Sequence, residues 1–326
     1  MKLIIPGFWY KKHIISYLLL PVSWLYKGLF ALRRYFVQET VFNKLTITIG
    51  NVTVGGGGKT PTAIAVAELL KLAGIKSGFL TRGYLGRITA PVIVDSNHDA
   101  RQVGDEALLL AKHATTIISK KRFLAQKLIN QTKLDCVIMD DGLQNFTVKQ
   151  HIKILVIDSD FLFGNGFLIP AGPLRENWQT AIKRVDYIIY IGDKDKIMKL
   201  NFYQEYSDKS FFAKYVVDCD VKQKTKKQWL AFAGLANNKK FFNSLTEYGY
   251  PIKQIKEFPD HHCYSDKDIL RLLESAKRDK LCLITTSKDM VKIAGKYRKN
   301  ITEFKIKLAL AQEDEFLAGL KRKINE

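Results

Sequence analysis

The stretch Gly50-Asn51-Val52-Thr53-Val54-Gly55-Gly56-Gly57-Gly58-Lys59-Thr60-Pro61 constrains this chain more than any other. It follows Leu45-Thr46-Ile47-Thr48-Ile49, a β-branched run that reads as a buried strand. It precedes residues 62–70, which are good helix formers. Strand, glycine loop, Gly-Lys-Thr and helix together make a phosphate-binding loop. The glycines let successive backbone N–H groups turn inward onto phosphate oxygens, the helix N-terminus adds partial positive charge, and Lys59 reaches the β/γ-phosphates. Thr60 offers a hydroxyl to Mg²⁺. The expected phosphate cradle is therefore Thr53, Val54, Gly55, Gly56, Gly57, Gly58, Lys59, Thr60 and Pro61. Strict G-x-x-x-x-G-K-[ST] spacing would put Gly where this chain has Thr53, but Gly55 to Gly57 still give the loop access to positive φ. A tight turn without ligand is the plainer alternative, and four consecutive glycines before Lys-Thr weigh against it.

A chain of 326 residues suggests two domains or one large one, and a hydrophobic share of 47% is ordinary for a globular protein. The net charge of +20 is not ordinary. It implies an anionic partner: nucleic acid, an anionic membrane or a phosphorylated substrate. No nucleic-acid motif accompanies it, so the membrane and phosphate readings gain. Cys136, Cys219, Cys263 and Cys282 are scattered without a C-x-x-C pair, which fits a reducing cytosol and argues against a zinc framework.

Residues 1–40 are aromatic and apolar, with six Lys/Arg against one Glu. The charge-free run 13–26 is shorter than the roughly 20 residues a bilayer span needs, and no small-residue cleavage site follows it. Lys12, Ser16, Ser23, Lys27 and Arg34 fall on one narrow polar stripe of a helix. The rest is Leu, Ile, Val and aromatics. A helix lying in an anionic membrane surface is expected; an ordinary helix packed on the core is the competing reading.

Alternating strands and helices follow to residue 191, implying a mostly parallel, doubly wound α/β unit. Within it, Asp105-Glu106 opens an apolar helix. Such a pair either complements the helix N-terminus or presents carboxylates to a metal and a substrate hydroxyl. Asp140 and Asp141 end an apolar strand, as expected of the Mg²⁺-holding partner of a phosphate loop. A loop rich in Gly and Pro ends in Arg175-Glu176, where Arg175 could clamp a phosphate. A break near 193–227 leads to a second α/β series. It contains Phe258-Pro259-Asp260-His261-His262-Cys263, in which Asp260, His262 and Cys263 lack a partner cluster for zinc. It also contains Thr286-Ser287-Lys288-Asp289, which misses the guanine-reading N-K-x-D pattern.

Taken together, Gly50-Asn51 with Val54 to Pro61, Arg82-Gly83-Tyr84, Gly104-Asp105-Glu106, Asp140-Asp141-Gly142-Leu143-Gln144, Ala171-Gly172-Pro173-Leu174-Arg175-Glu176, Phe258-x-Asp260-His261 and Thr286-x-Lys288-Asp289 resemble the tetraacyldisaccharide 4′-kinase family of Gram-negative bacteria. The resemblance implies a P-loop NTPase-like fold of two α/β/α sandwiches joined by a short β linker, with an N-terminal membrane-associated amphipathic helix. The corresponding segments are 1–40 (membrane-associated), 41–210 (nucleotide-binding), 211–228 (linker) and 229–326 (smaller α/β domain). It implies ATP- and Mg²⁺-dependent phosphorylation of the 4′-hydroxyl of an acylated disaccharide 1-phosphate by a peripheral enzyme on the cytoplasmic face of the inner membrane. An anionic membrane surface is the expected partner, with no nucleic acid, and a monomer is expected. By resemblance Asp105 is the general base backed by His261. Thr60, Glu106, Asp140 and Asp141 surround the metal, and Lys59, Arg175 and Glu176 line the active site. A membrane-associated nucleotide switch acting on a protein partner, or a basic scaffold without chemistry, are the alternatives.

Overall fold

The structure is a computed structural model that describes residues 6–218 and 227–325. Most of the basic link expected at 222–227, and Cys219, lie outside these residues. Thirteen strands form two sheets among the described residues: β1 (Leu45–Gly50), β2 (Ser77–Thr81), β3 (Val92–Ile93), β4 (Thr116–Ile118), β5 (Cys136–Asp140), β6 (Ile152–Asp158), β7 (Tyr187–Ile191), β8 (Ser210–Val217), β9 (Trp229–Ala233), β10 (Ile252–Glu257), β11 (Cys282–Thr286), β12 (Ile301–Phe304) and β13 (Ile306–Leu310). The larger sheet runs β13-β8-β7-β6-β1-β5-β2-β4-β3 and the smaller β10-β9-β11-β12.

All pairings are parallel except β13 with β8 and β3 with β4, at the two edges of the larger sheet. Strands buried on both faces read as continuous apolar runs, and β5 and β7 are buried at every position. The helix Lys59–Leu72 packs on one face of this sheet through Ala63, Val66 and Leu70. β1 and β6 are neighbours whose following connections run in opposite directions along the sheet, β1 toward β2 and β6 toward β7. That is the topological switch point at which loops beyond the strand ends open a crevice. The loops after β1, β5 and β6 all start at this carboxyl edge.

Three expectations change. β7 does not close the sheet: β8, expected as a separate connecting strand, pairs with it in parallel register, Ile188 to Ser210 through Ile191 to Ala213. The single strand expected at 302–307 is two, and the second, β13, returns to pair with β8. The helix Glu313–Asn325 follows it onto the larger sheet, where Phe316 meets Tyr187 and Phe211. The smaller sheet therefore does not carry all of 229–326. The physical reason is the apolar inner face of β13 and the last helix: Leu308, Leu310, Phe316 and Leu320 fill the same core as the phosphate-loop helix.

The third change concerns the N-terminal region, which folds as short helix Ile14–Leu18 and the longer Leu20–Phe36. The polar stripe does not face solvent throughout. Ser16 and Ser23 are buried. Ser23 Oγ donates to Leu168 O (2.9 Å) and accepts from Ala171 N (3.1 Å), while Asn165 Nδ2 donates to Ser16 Oγ (3.1 Å). Trp9 Nε1 donates to Pro170 O (3.0 Å). Ser16 and Ser23 form the protein-facing seam, while Lys12, Lys27 and Arg34 stay exposed. The outer face is apolar: Leu18, Val22, Leu25, Leu29, Leu32 and Phe36 are each more than half exposed. No helix among the described residues is long and apolar enough to cross a membrane.

The two hydrogen bonds of Ser23 bind the long helix to the 165–171 loop. Ser23→Ala leaves the buried Ala171 N–H unpaired and removes one of the two donors to Leu168 O, at a cost of about 1–3 kcal/mol. Urea unfolding followed by circular dichroism should show a lower midpoint, and limited proteolysis should cut first in residues 10–36.

Candidate active site

The phosphate loop leaves β1 and rejoins a helix at Gly58, whose φ of 77° places it in the left-handed region at the N-cap. A Cβ there would sit 2.3 Å from Ile191 Cδ1, so both backbone and space require glycine. Lys59 folds back over the loop, donating to Gly55 O (3.0 Å) and Asn51 Oδ1 (3.3 Å), and lies 3.7 Å from Asp141 Oδ1. Thr60 Oγ1 donates to Asp140 Oδ2 (2.8 Å). The 167–176 loop docks on the phosphate loop through Val54 N to Pro173 O (2.8 Å) and Arg175 N to Val52 O (2.7 Å).

That docking aims Arg175 at Asp141, with Nη1 2.9 and 3.1 Å from the two carboxylate oxygens. Burial alone would raise Asp141, but the charges of Lys59, Arg175 and Arg122 outweigh it and hold the carboxyl at about 2. Asp140 goes the other way. Burial, and then the charge of Glu106, push it up to about 7. Its Oδ1 is buried without a hydrogen-bond partner. Two carboxylates that repel each other, one with an unpartnered buried oxygen, are a donor set for a hard cation. No group of three or more His, Cys, Asp or Glu among the described residues is arranged to hold a metal. A cation here would complete its shell with the Thr60 hydroxyl, phosphate oxygens and water.

Asp105 and Glu106 are placed by a break in the chain. Asp99 caps the helix Ala100–Val103 with a capping box, and Gly104, at φ 88°, ends it and restarts the chain as the helix Asp105–Ala111. A Cβ on Gly104 would lie 2.3 Å from Tyr84 O. Asp105 and Glu106 thus open the apolar helix, as expected, and the break turns Asp105 toward the smaller sheet. His261 meets it from the loop after β10: Nδ1 lies 2.8 Å from Asp105 Oδ2. Asp105 Oδ1 accepts from Glu106 N (2.9 Å). Burial works against the Asp105 charge, but the His261 hydrogen bond and the nearby Lys288 ammonium hold its carboxyl below the usual range. An ionised carboxylate can only accept, so Nδ1 of His261 carries the proton.

Contacts run unbroken around the crevice. Thr60 bonds Asp140, Asp140 feels Glu106, Glu106 lies 3.8 Å from Lys288 Nζ, and Lys288 lies 3.9 Å from Asp105. The N-terminal helix reaches the same place: Tyr26 OH donates to Arg175 O (2.7 Å). A cavity of about 390 Å³ opens between that helix and the loops, with Tyr26, Leu29 and Phe30 on one side and Arg82, Asp141 and Arg175 on the other.

One residue differs from its expected place, and a second imidazole lies outside the crevice. Glu176 is buried, ion-paired with Arg184 and accepting from Gln144 Nε2 (2.8 Å), so it braces the loop that carries Arg175. His262 stacks on Phe258 and lies 3.3 Å from Asp268, away from Asp105, which leaves His261 as the imidazole of the crevice. Sequence reasoning missed Arg122. It is fully buried, and its Nη2 donates to the carbonyls of Asp140 and Asp141. Nothing separates it by pattern from neighbouring Lys120 and Lys121. It missed Asn51 as a partner of Lys59, although the residue stood inside the motif.

Asp140 has a folded-state value near 7, above its ordinary 3.8. The metal-free fold holds a proton that the unfolded chain has released, so its stability falls as pH rises from the carboxylate range through about 7. In EDTA, Asp140→Asn should show a flatter decline of melting temperature than the parent between about pH 5 and pH 8. Equal slopes would contradict this electrostatic picture.

Residues 15–325 match the family model described as Tetraacyldisaccharide-1-P 4'-kinase. The chain is 39% identical over 293 residues to the tetraacyldisaccharide 4'-kinase of Rickettsia bellii, covering 90% of each chain. It is 36% identical over 315 residues to that of Bartonella quintana, covering 95% of this chain and 92% of the relative. Among solved structures it superposes on LpxK from Aquifex aeolicus, an "apo" form in complex with ATP, with a TM-score of 0.78 at 26% identity, covering 95% of this chain and all of that one. With its glycine loop, paired aspartates and Asp105–His261 contact in one crevice, this chain belongs to the tetraacyldisaccharide-1-phosphate 4′-kinase family.

Proposed function

We propose that this protein is an ATP-dependent kinase that transfers the γ-phosphoryl group to the 4′-hydroxyl of a tetraacyldisaccharide 1-phosphate, a lipid A precursor. One observation carries the reading beyond family membership. The phosphate loop, an ionised carboxylate held by an imidazole, and a cavity with an apolar wall all open onto one crevice. A cytosolic sugar kinase needs the first two; the third suits an acylated acceptor. The crevice belongs to a P-loop NTPase-like larger unit, with the smaller α/β unit closing over it.

Phosphoryl transfer asks little covalent work of the protein and much positioning and charge. Asp105 takes the proton of the acceptor hydroxyl, and His261 holds that carboxylate in place and ionised. The backbone N–H groups of residues 55–60 cradle the phosphates. Lys59, now bonded to Gly55 O and Asn51 Oδ1, exchanges these partners for phosphate oxygens. Thr60, Asp140 and Glu106 would hold Mg²⁺, whose charge would offset that of the phosphates. Both Asp141 oxygens accept from Arg175, so Asp141 serves by orienting Arg175 and Lys59. Glu176 acts through the loop it braces.

The same reading gives the N-terminal helices a task. Ile14, Leu18, Val22, Leu25, Leu29, Leu32 and Phe36 recur at spacings of three and four and form one outward apolar face. Such a face beside a basic chain suits an anionic bilayer surface, on the cytoplasmic side of the inner membrane where ATP is available. It would bring the cavity to the acceptor, whose acyl chains stay in the leaflet, and it needs no second copy of the chain.

Purified protein incubated with labelled ATP, Mg²⁺ and the acylated disaccharide 1-phosphate in detergent should put label into the lipid. Label recovered only as inorganic phosphate would instead indicate a nucleotide switch. Lys59→Ala should abolish transfer. Asp105→Asn should lower kcat by about 10²–10⁴-fold with KM little changed; equal loss in both would make Asp105 a substrate-positioning group. For the membrane contact, Leu25→Glu with Leu32→Glu should release the protein from vesicles containing anionic phospholipid while the melting temperature holds. Unchanged vesicle binding would refute that face as the contact.

A further inference from the structure

The motif Thr286-Ser287-Lys288-Asp289 stands at the end of β11, and beyond the charge that Lys288 sets beside Asp105 it has been given no role in the reaction. Its geometry is fixed from behind. Asp289 is fully buried, accepting from Gly234 N (3.1 and 3.2 Å), Tyr264 OH (3.0 Å) and Thr286 Oγ1 (2.8 Å), with Lys292 Nζ at 2.8 Å. Thr286 caps the short helix Ser287–Met290 that follows. A buried, fully partnered carboxylate leaves its neighbour little freedom. That neighbour is Lys288.

Lys288 Nζ lies 3.4 Å from His261 Nε2, 3.8 Å from Glu106, 3.9 Å from Asp105 and 4.0 Å from Asp260. Its hydrogen-bond contact is thus with the imidazole, and its carboxylate contacts are looser. Because Nδ1–H of His261 is given to Asp105, the lone pair of the ring is on Nε2, and an ammonium is the donor that suits it. His261 itself sits at φ 55°, where a non-glycine residue needs outside support. Its N–H bonds Asp260 Oδ1 (3.0 Å) and its ring meets Tyr84 edge to face. Neither contact fixes which ring nitrogen faces Asp105.

We propose that Lys288 is a positioning residue for the reaction. By donating to Nε2 it holds the imidazole in the orientation and tautomer that present Nδ1–H to Asp105, and so acts on the base through His261. Partly exposed ion pairs near 4 Å are worth little in stability, so its contribution lies in orientation. The proposal rests on the lipid-kinase reading above.

A double-mutant cycle tests it. Label transfer by the parent protein is measured first, and its absence would overturn the lipid-kinase reading and this one with it. With an active parent, Lys288→Met should lower kcat by about 10–100-fold while KM for ATP and for the lipid stays within about twofold. In a His261→Ala background the same substitution should add little, because the group it orients is gone. Lys288→Arg should recover part of the rate. Should the Met variant fail to fold, Lys288→Ala, which also removes the donor, takes its place in the same cycle. Equal losses with and without His261, or a loss confined to KM, would mean that Lys288 acts on substrate or metal directly and would overturn the proposal.

Discussion

The crevice depends on keeping carboxylates charged in a place that disfavours charge. Asp105, Asp140 and Asp141 come from two neighbouring regions of one sheet edge, and the first two are almost wholly buried. Burial raises a carboxyl unless cations or donors offset it. Each acid meets a different solution. Asp141 has Lys59, Arg175 and Arg122 around it and remains ionised. Asp105 has His261 and Lys288. Asp140 has Thr60 and Lys59, but burial and Glu106 outweigh them and push its carboxyl up to about 7. The unsatisfied member is the one at the end of β5, beside the loop that would carry a nucleotide. A bound cation would resolve it, so the fold is completed electrostatically by its ligand and not by its own side chains.

Arg122 shows how that arrangement is supported. Burial lowers it to about 10, which still leaves it charged near neutrality. Its Nη2 bonds the two carbonyls of Asp140 and Asp141 and so fixes the backbone of the pair from behind. Its Nε and Nη1 are buried without partners, a cost that a purely structural residue would be expected to avoid. The acids' own charge is what makes a guanidinium tolerable there.

Much of this was legible in the sequence because it is local. The glycine loop, the β1 strand before it and the helix after it follow from spacing and propensity. Asp140 and Asp141 announce themselves by ending an apolar run. What was not legible depends on tertiary direction. The period of Lys12, Ser16, Ser23, Lys27 and Arg34 defines a face but not which way it points. The chain buries Ser16 and Ser23 because the 165–171 loop leaves carbonyls and an amide that only polar groups can satisfy, and the hydrophobic residues are turned out. The short helix before Gly104 was not read either, because space beside Tyr84 decides where the chain breaks. The return of β13 and the last helix could not be read from alternation, since β12 and β13 are separated by Lys305 alone.

The two sheets meet across the crevice largely through charge. His261 and Lys288 reach Asp105, Lys112 reaches Glu303, and Lys240 reaches Asp158 and Asp160. Contacts of this kind are easily rearranged, unlike a packed apolar seam, and polar interfaces within a chain ordinarily allow relative motion. The antiparallel pair β8–β13 lies where the chain passes between the two units, and Asp218 N bonds Lys305 O (2.9 Å) at its far end. The base lies on the larger unit and its imidazole on the smaller. Any opening of the crevice therefore separates Asp105 from the group that keeps it ionised.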